Sequence, residues 1–191
     1  MQTLLFETIK IEDGQIYNIA WHNKRCNQTR KELFDRKDLL KLESFIEAPK
    51  KGLFRCRIVY AQDILSVDYF PYSPKSIHSF KVVKSQLDYS YKYDDREELN
   101  KLLHPKYDEI IIEKDGLLTD TSIANIAFYD GKEWFTPKKP LLHGTTRERL
   151  LHKNFLKVKN IKSSEIINFS HFALMNAMIG FQFQKSINIK I

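Results

Sequence analysis

The sequence predicts an α+β fold. Strand-like runs are joined by tight turn signals, Asp13-Gly14, Asp115-Gly116 and Asp130-Gly131, which are typical of antiparallel hairpins. Helical patterns lie between these hairpins without the regular strand–helix–strand alternation of a doubly wound parallel sheet. Of the 191 residues, 42% are hydrophobic and 13% aromatic, so the chain can bury a substantial core.

Residues 1–73 are expected to form a small N-terminal α+β lobe. Pro71-Tyr72-Ser73-Pro74 reads as a linker, which places the lobe boundary after residue 73. The elements expected before it are strands at 3–11 and 15–19, helices at 20–34 and 37–45, and a strand pair at 53–60 and 65–69.

Residues 74–191 are expected to form a second lobe of hairpins and helices. Short strands and one further helix are expected after residue 153. The preceding elements are strands at 77–83, 107–112, 117–119, 123–129 and 133–135, with helices at 94–103 and 145–153.

Composition argues against several classes of protein. The longest apolar stretch, Phe172 to Phe181, is too short for a membrane span and contains Asn176. No secretion signal is evident, and two cysteines without metal-ligand spacing favour a reduced, cytoplasmic setting.

The charge is basic, with 31 Lys and Arg against 24 Asp and Glu, a net charge of +7. Because the basic residues are scattered among acids, they indicate a lysine-rich surface that favours anionic substrates, and no nucleic-acid partner is expected. A non-catalytic basic binding protein is the alternative from another functional class.

Five short polar runs, which secondary-structure propensity does not explain, are the candidate functional motifs. None matches a P-loop, a dinucleotide fingerprint, a zinc site or a nucleophile elbow. The runs are His22-Asn23-Lys24-Arg25, Asp88-Tyr89-Ser90-Tyr91-Lys92-Tyr93-Asp94-Asp95-Arg96, Thr119-Asp120-Thr121-Ser122-Ile123-Ala124-Asn125, Leu141-Leu142-His143-Gly144-Thr145-Thr146-Arg147 and Leu174-Met175-Asn176-Ala177-Met178-Ile179-Gly180.

In this order the runs resemble the class IV aminotransferase family, which includes branched-chain and D-amino-acid aminotransferases and 4-amino-4-deoxychorismate lyase. The resemblance extends from Phe6-Glu7-Thr8 to Gly180. It implies two α+β lobes as in D-amino-acid aminotransferase-like enzymes, with pyridoxal 5'-phosphate in the cleft between them. It also implies a homodimer whose partner chain helps to close the site.

Lys92 matches the family's lysine that binds the cofactor covalently. The amine must be deprotonated to attack the cofactor aldehyde, and burial among Tyr89, Tyr91 and Tyr93 would lower its pKa. Arg25 resembles the family's arginine that binds the cofactor phosphate, because a guanidinium can donate two parallel hydrogen bonds to a phosphate.

The other cofactor contacts that the resemblance implies lie later in the chain. Asp120 stands where the family has a carboxylate, commonly glutamate, facing the pyridine nitrogen, and Asn125 keeps the family's spacing to it. Thr145 and Thr146 open a helix, whose free N–H groups and dipole suit a phosphate. Asn176-Ala177 resembles the family's late loop near phosphate and substrate.

Arg57 is the candidate for binding a substrate carboxylate. Strand alternation puts Arg55 and Arg57 on one face, opposite Cys56 and Ile58, so Arg57 either points into the site or faces solvent. His22, His143 and His152 are expected to be structural or surface residues.

Among the family's activities, 4-amino-4-deoxychorismate lyase is favoured, which yields 4-aminobenzoate and pyruvate for folate synthesis. The Asn-Ala pair and the Leu-Leu-His-Gly run look closer to the lyase branch than to the branched-chain branch. A branched-chain or D-amino-acid aminotransferase is the alternative.

Overall fold

The computed structural model describes residues 3–184 and 187–191, and it confirms the α+β fold class. Within these residues, thirteen strands and three α-helices belong to two compact units. The first unit comprises the residues up to Pro74 together with Tyr91–Asp95, and the second comprises Lys75–Ser90 and the residues from Arg96 onward. No helix in the described residues is long and apolar enough to cross a membrane.

The first unit is a four-stranded antiparallel sheet, in the order β2-β1-β3-β4, with one long helix. The turn between β1 and β2 has φ angles of 49° at Asp13 and 82° at Gly14, a left-handed backbone that an Asp-Gly pair tolerates. This hairpin was predicted from the sequence. The elements are β1 (Leu5–Glu12), β2 (Gln15–Ile16), α1 (Ile19–Phe34), β3 (Leu53–Tyr60) and β4 (Ile64–Pro71).

The core of the first unit joins the sheet to α1. Alternation along β1 buries Leu5, Ile9 and Ile11 on one face. Glu7 lies on the same face and is also fully buried. The other buried members of this cluster are Cys26, Leu42, Cys56, Ile58 and Tyr60.

The prediction of a helix over 37–45 is wrong, since only Leu42–Phe45 is helical, as a 3-10 turn. Side chains of α1 bind the backbone just before it. The Asn27 amide accepts from the Leu40 N–H and donates to the Leu40 carbonyl, both at 2.8 Å, and the buried Arg30 donates to the Asp38 carbonyl at 2.8 Å. Backbone groups satisfied in this way do not need helical hydrogen bonds.

The second unit is built on a larger mixed sheet in the order β10-β9-β8-β7-β6-β5-β13, with β11 pairing with β8 and with β12. Its elements are β5 (Phe80–Lys84), α2 (Glu97–Lys101), β6 (Glu109–Lys114), β7 (Leu117–Thr121), β8 (Asn125–Tyr129), β9 (Trp134–Pro137), α3 (Thr145–His152), β10 (Leu156–Lys159), β11 (His171–Asn176), β12 (Gly180–Gln184) and β13 (Ile189–Lys190).

Aromatic packing dominates the core of the second unit. The ring of Phe172 lies 5.0 Å from those of both Phe80 and Phe128, within the range of favourable aromatic pairs. The helix predicted at 145–153 is confirmed as α3, whereas the helix predicted at 94–103 is reduced to the five residues of α2. The helix expected after residue 153 is a 3-10 helix, Ser163–Asn168.

The buried face of β3 generates a stability prediction. We expect Ile58→Ala, at a fully buried site, to lower the free energy of unfolding by about 2–5 kcal/mol, because it leaves a cavity. The matched control is Leu65→Ala on β4, whose side chain is 55% exposed and which should change stability by less than about 0.5 kcal/mol. Urea unfolding of the two variants beside the wild type measures both values, and equal costs would contradict the assignment of the core face.

Candidate active site

Lys92 lies on the short segment that the structure groups with the first unit, although the sequence assigned it to the second lobe. Strand β2 pairs only with the last two residues of β1, so the first half of β1 keeps an open edge. Residues 92–94 occupy that edge. The Phe6 N–H donates to the Lys92 carbonyl at 3.0 Å, and the Asp94 N–H donates to the Leu4 carbonyl at 2.9 Å.

The side chain of Lys92 meets an aromatic ring that the sequence did not indicate. Its Nζ lies 4.3 Å from the centre of the Phe6 ring. Tyr91 and Tyr93 contact each other edge to face at 5.9 Å and pack on the core of the first unit. Tyr89, the third tyrosine of the expected surroundings, is buried in the second unit.

Arg57 lies beside the same Phe6 ring, with its Cζ 4.8 Å from the ring centre. It also forms a salt bridge with Asp94. Arg55, by contrast, is exposed and lies over Phe70. The structure therefore brings Lys92 and Arg57 to the same aromatic ring, where the Arg57 guanidinium is already paired with the Asp94 carboxylate.

Arg25 on α1 forms a two-point salt bridge with the fully buried Glu7. Its Nε donates to Glu7 Oε1 at 2.8 Å and its Nη2 donates to Oε2 at 2.6 Å. His22 Nδ1 contacts the same Oε2 at 2.6 Å. Burial alone would raise the pKa of Glu7, but the charge of Arg25 and the hydrogen bonds from His22 and Arg25 hold it at about 2.

Burial lowers the pKa of His22 more than its contact with Glu7 raises it, so the ring is neutral near pH 7. Since Glu7 is ionised and only accepts hydrogen bonds, the proton of the neutral ring lies on Nδ1. His22 is thus a structural residue, as the sequence indicated. The role of Glu7 was missed, although an acid in the apolar stripe Leu5, Ile9 and Ile11 is a readable signal.

Asp120 lies on β7 in the second unit, and both of its carboxylate oxygens accept hydrogen bonds from other groups of the chain. Oδ1 accepts a hydrogen bond from Asn125 Nδ2 at 2.8 Å, and Oδ2 accepts one from the Leu142 N–H at 2.8 Å. Burial raises the pKa of Asp120 to about 6 in spite of these bonds. The carboxylate anchors the loop that leads to α3.

Asn125 completes this connection, because its Nδ2 also donates to the Leu142 carbonyl at 2.8 Å. A Cβ atom on Gly144 would lie 2.0 Å from Asn125 Oδ1. The loop before α3 therefore approaches Asn125 as closely as only glycine allows. Asp120 and Asn125 are hydrogen-bonded to each other and to Leu142, so both side chains hold the loop that leads to α3.

Helix α3 starts directly after Gly144, and its first residues Thr145, Thr146 and Arg147 are all buried. Arg147 donates to the Pro137 carbonyl at 2.9 Å, which ties the helix to the end of β9. No hydrogen bond of the Thr145 or Thr146 hydroxyl is found within the described residues. These hydroxyls and the first-turn N–H groups are the kind of donors that phosphate requires.

Asn176 and Ala177 lie at the turn from β11 to β12. Asn176 Oδ1 accepts hydrogen bonds from the Met178 and Ile179 N–H groups at 2.9 and 3.0 Å, and its Nδ2 donates to the Ile123 carbonyl at 3.2 Å. The Asn176 side chain therefore shapes this turn. Ala177 is partly buried.

Glu109 is another buried acid, and the sequence did not indicate it. Its carboxylate accepts from the Ser122 hydroxyl at 2.8 Å, and Arg96 donates to the Ser122 carbonyl at 2.7 Å. These contacts hold the turn between Asp120 and Asn125. In the part of the chain that the structure describes, no group of three His, Cys, Asp or Glu residues is arranged to hold a metal ion.

The Glu7 cluster predicts acid-sensitive stability. The folded pKa of about 2 lies below the ordinary value of 4.5, so the stabilisation is fully present above that ordinary value and is lost as the pH falls toward the folded pKa. We expect the wild type to lose stability over this window. Glu7→Gln should already be less stable by about 3–5 kcal/mol at neutral pH, because the largely buried guanidinium of Arg25 would lose its charged partner.

Urea unfolding between about pH 7 and pH 3 measures both effects. The control is Glu12→Gln, which removes only the salt bridge of Glu12 to Lys10 near the surface and should cost less than about 1 kcal/mol. Identical pH profiles for the wild type and Glu7→Gln would contradict the assignment.

The close approach of Gly144 to Asn125 predicts that substitutions at these two positions have coupled effects on stability. Its backbone angles, φ −67° and ψ 139°, suit alanine, so Gly144→Ala should destabilise only through the clash with Asn125, by about 1–3 kcal/mol. In an Asn125→Ala background the same substitution should cost much less. A double-mutant cycle by urea unfolding measures this difference, and equal costs in both backgrounds would refute it.

Comparison with known proteins supports a single family. The model of the amino-transferase class IV family matches residues 4–187. An uncharacterized protein of Haemophilus influenzae is 39% identical over 184 residues, which cover 92% of this chain and 98% of that protein.

Solved structures share the fold. A crystal structure from Haemophilus somnus, provisionally named as a 4-amino-4-deoxychorismate lyase, is 37% identical, with a TM-score of 0.85 over 94% of this chain and 98% of that chain. A hypothetical aminotransferase of Mycobacterium tuberculosis, solved with alpha-ketoglutarate and PMP bound, is 15% identical, with a TM-score of 0.81 over 95% of this chain and 80% of that chain. The chain belongs to the amino-transferase class IV family.

Proposed function

We propose that this protein is a pyridoxal-phosphate-dependent 4-amino-4-deoxychorismate lyase, which releases 4-aminobenzoate and pyruvate. Family membership supports an enzyme, and the name of the Haemophilus somnus relative at 37% identity supports the lyase branch. The substrate carries carboxylates, and a chain with a net charge of +7 favours such anions.

The residues of the chain fit pyridoxal phosphate chemically. The start of α3 offers backbone N–H groups and the hydroxyls of Thr145 and Thr146 for the phosphate. Arg25 is the proposed second phosphate ligand, and its pairing with Glu7 fixes the guanidinium in one orientation. When bound, the cofactor supplies an electron sink for the bond that breaks beside the amino nitrogen.

The remaining roles concern protons and orientation. Lys92 is the proposed attachment point, and once released by substrate its amine takes a proton from the ring carbon and returns one to the departing enolpyruvyl group. Arg57 is proposed to orient a substrate carboxylate. Asn176 and Ala177 are proposed to line the site through the turn that Asn176 shapes.

The hydrogen bonding of Asp120 is the observation that favours a lyase over an aminotransferase. Its two oxygens already accept hydrogen bonds from Asn125 and Leu142, and burial raises its pKa to about 6. With both oxygens engaged by groups of the chain, the Asp120 carboxylate has less hydrogen-bonding capacity left for a protonated pyridine nitrogen than a carboxylate without other partners. A lyase tolerates this, because aromatisation of the ring supplies driving force that amino-group transfer lacks.

The direct test is turnover. We expect the purified protein, loaded with pyridoxal phosphate, to release equal amounts of pyruvate and 4-aminobenzoate from 4-amino-4-deoxychorismate with no keto acid added. Pyruvate is followed with lactate dehydrogenase and 4-aminobenzoate by chromatography. If 4-amino-4-deoxychorismate is untouched while amino acids with 2-oxoglutarate are converted, the aminotransferase alternative is correct and the lyase proposal is wrong.

Lys92→Ala should abolish turnover while the protein stays folded, because the covalent attachment and the proton carrier are both lost. Lys24→Ala is the matched control, since Lys24 belongs to the same unit and its Nζ also lies over an aromatic ring, that of Trp21, at 5.4 Å. That variant should keep full activity. Borohydride reduction followed by peptide mass spectrometry should find the cofactor on Lys92, and a label on another lysine would overturn the assignment.

A further inference from the structure

The Phe6 ring lies in a cluster of charged side chains on one face of the sheet in the first unit. Side chains alternate along a strand, so Phe6 on β1 and Arg57 on β3 lie on the face opposite the core residues of those strands. Residues 92–94 extend this sheet along the edge of β1. Lys92 and Asp94 lie two residues apart in that extended segment, and both side chains therefore point to the same face as Phe6.

Arg57 is already paired within this cluster. Its guanidinium forms a salt bridge with the Asp94 carboxylate, and the two side chains are 27% and 28% exposed. The position of Asp94 is fixed through its backbone, because its N–H donates to the Leu4 carbonyl at 2.9 Å. A carboxylate of the chain thus occupies the guanidinium to which a substrate carboxylate is proposed to bind.

We propose that Asp94 is an internal competitor of substrate carboxylates at Arg57, an inference that rests on the proposed role of Arg57 as the carboxylate site. A ligand binds there by exchanging its own carboxylate for that of Asp94, so the guanidinium keeps one salt bridge throughout. Only molecules in which Asp94 has left the guanidinium are competent to bind. The apparent affinity for a carboxylate is therefore lowered in proportion to the fraction of such molecules.

The exchange limits which ligands occupy the site. When a ligand carboxylate binds Arg57, Asp94 loses its own partner, so the net gain is smaller than at an unpaired guanidinium. The displaced Asp94 carboxylate also stays close, because its backbone is fixed to β1, and it repels a second negative charge nearby. A ligand with one carboxylate is thus bound weakly, whereas a ligand with a second anchoring group still fills the site. Dicarboxylates such as 4-amino-4-deoxychorismate are the class that this competition favours.

Binding of pyruvate and of its neutral methyl ester tests the competition without turnover. In the protein loaded with pyridoxal phosphate, Asp94→Asn should lower the dissociation constant of pyruvate by roughly fivefold to tenfold, the scale of one partly exposed salt bridge. The dissociation constant of methyl pyruvate should not change, because the ester has no carboxylate to exchange. In an Arg57→Met background, Asp94→Asn should leave pyruvate binding unaltered. Saturation-transfer NMR titrations measure all four constants.

Asp68→Asn is the matched control. Asp68 is exposed and lies opposite Arg57 in the pairing of β3 with β4, and its carboxylate accepts a hydrogen bond from the Ser66 hydroxyl at 3.0 Å. Its substitution removes the same charge from the same face, and solvent screening should keep the change in pyruvate affinity below about twofold. Circular dichroism establishes that each variant is folded.

Three results would overturn the competition: pyruvate binding to Asp94→Asn that is absent or no tighter than to the wild type, an equal gain in Asp68→Asn, or a gain that persists with Arg57→Met. Because pyruvate binding requires no reaction, the outcome is independent of turnover. A protein that shows the expected binding but leaves 4-amino-4-deoxychorismate untouched would refute the proposed lyase activity and retain the role of Asp94.

Discussion

The burial of an ionised carboxylate at Glu7 is the constraint on which the first unit depends. A charge removed from water is costly unless it is fully paired, so Arg25 and His22 must both stand opposite β1. That requirement fixes the rotation of α1 on the sheet. Through α1 it also fixes Asn27 and Arg30, whose side chains hold the backbone of residues 38–40 in an extended path.

A comparison of Glu7 with Asp120 shows how the neighbours of a buried carboxyl group decide its charge. Both side chains are buried. Glu7 receives two hydrogen bonds from a guanidinium, and its pKa falls to about 2, whereas Asp120 is bonded by neutral amide groups and its pKa rises to about 6. The first carboxylate is a permanent structural charge. The second has a pKa closer to neutral pH, so its charge is held less firmly.

The edge of β1 links the structural charge to the proposed chemistry. Because β2 is only two residues long, the beginning of β1 accepts the segment that carries Lys92. Phe6, the neighbour of Glu7, then provides the ring on which both Lys92 and Arg57 lie. A local property of the first hairpin, the shortness of one strand, thus decides which part of the chain lies beside the lysine.

The sequence by itself determined the features that depend on local backbone preference and on the order of short motifs. The Asp13-Gly14 turn, helix α1, helix α3 and the family were all predicted, because turn sterics and helical periodicity act over a few residues. The Asp120 and Asn125 pair was indicated by the resemblance to the family.

Only the tertiary structure decided what those side chains bind. The Glu7 and Arg25 pair, the Arg57 and Asp94 pair and the contact between Asn125 and Gly144 join residues 18, 37 and 19 positions apart in the sequence. The conformation of residues 37–45 was likewise set by side chains of α1, although the sequence of this segment predicts a helix. Such long-range pairings follow from which groups share a buried space, and burial is a property of the folded chain as a whole.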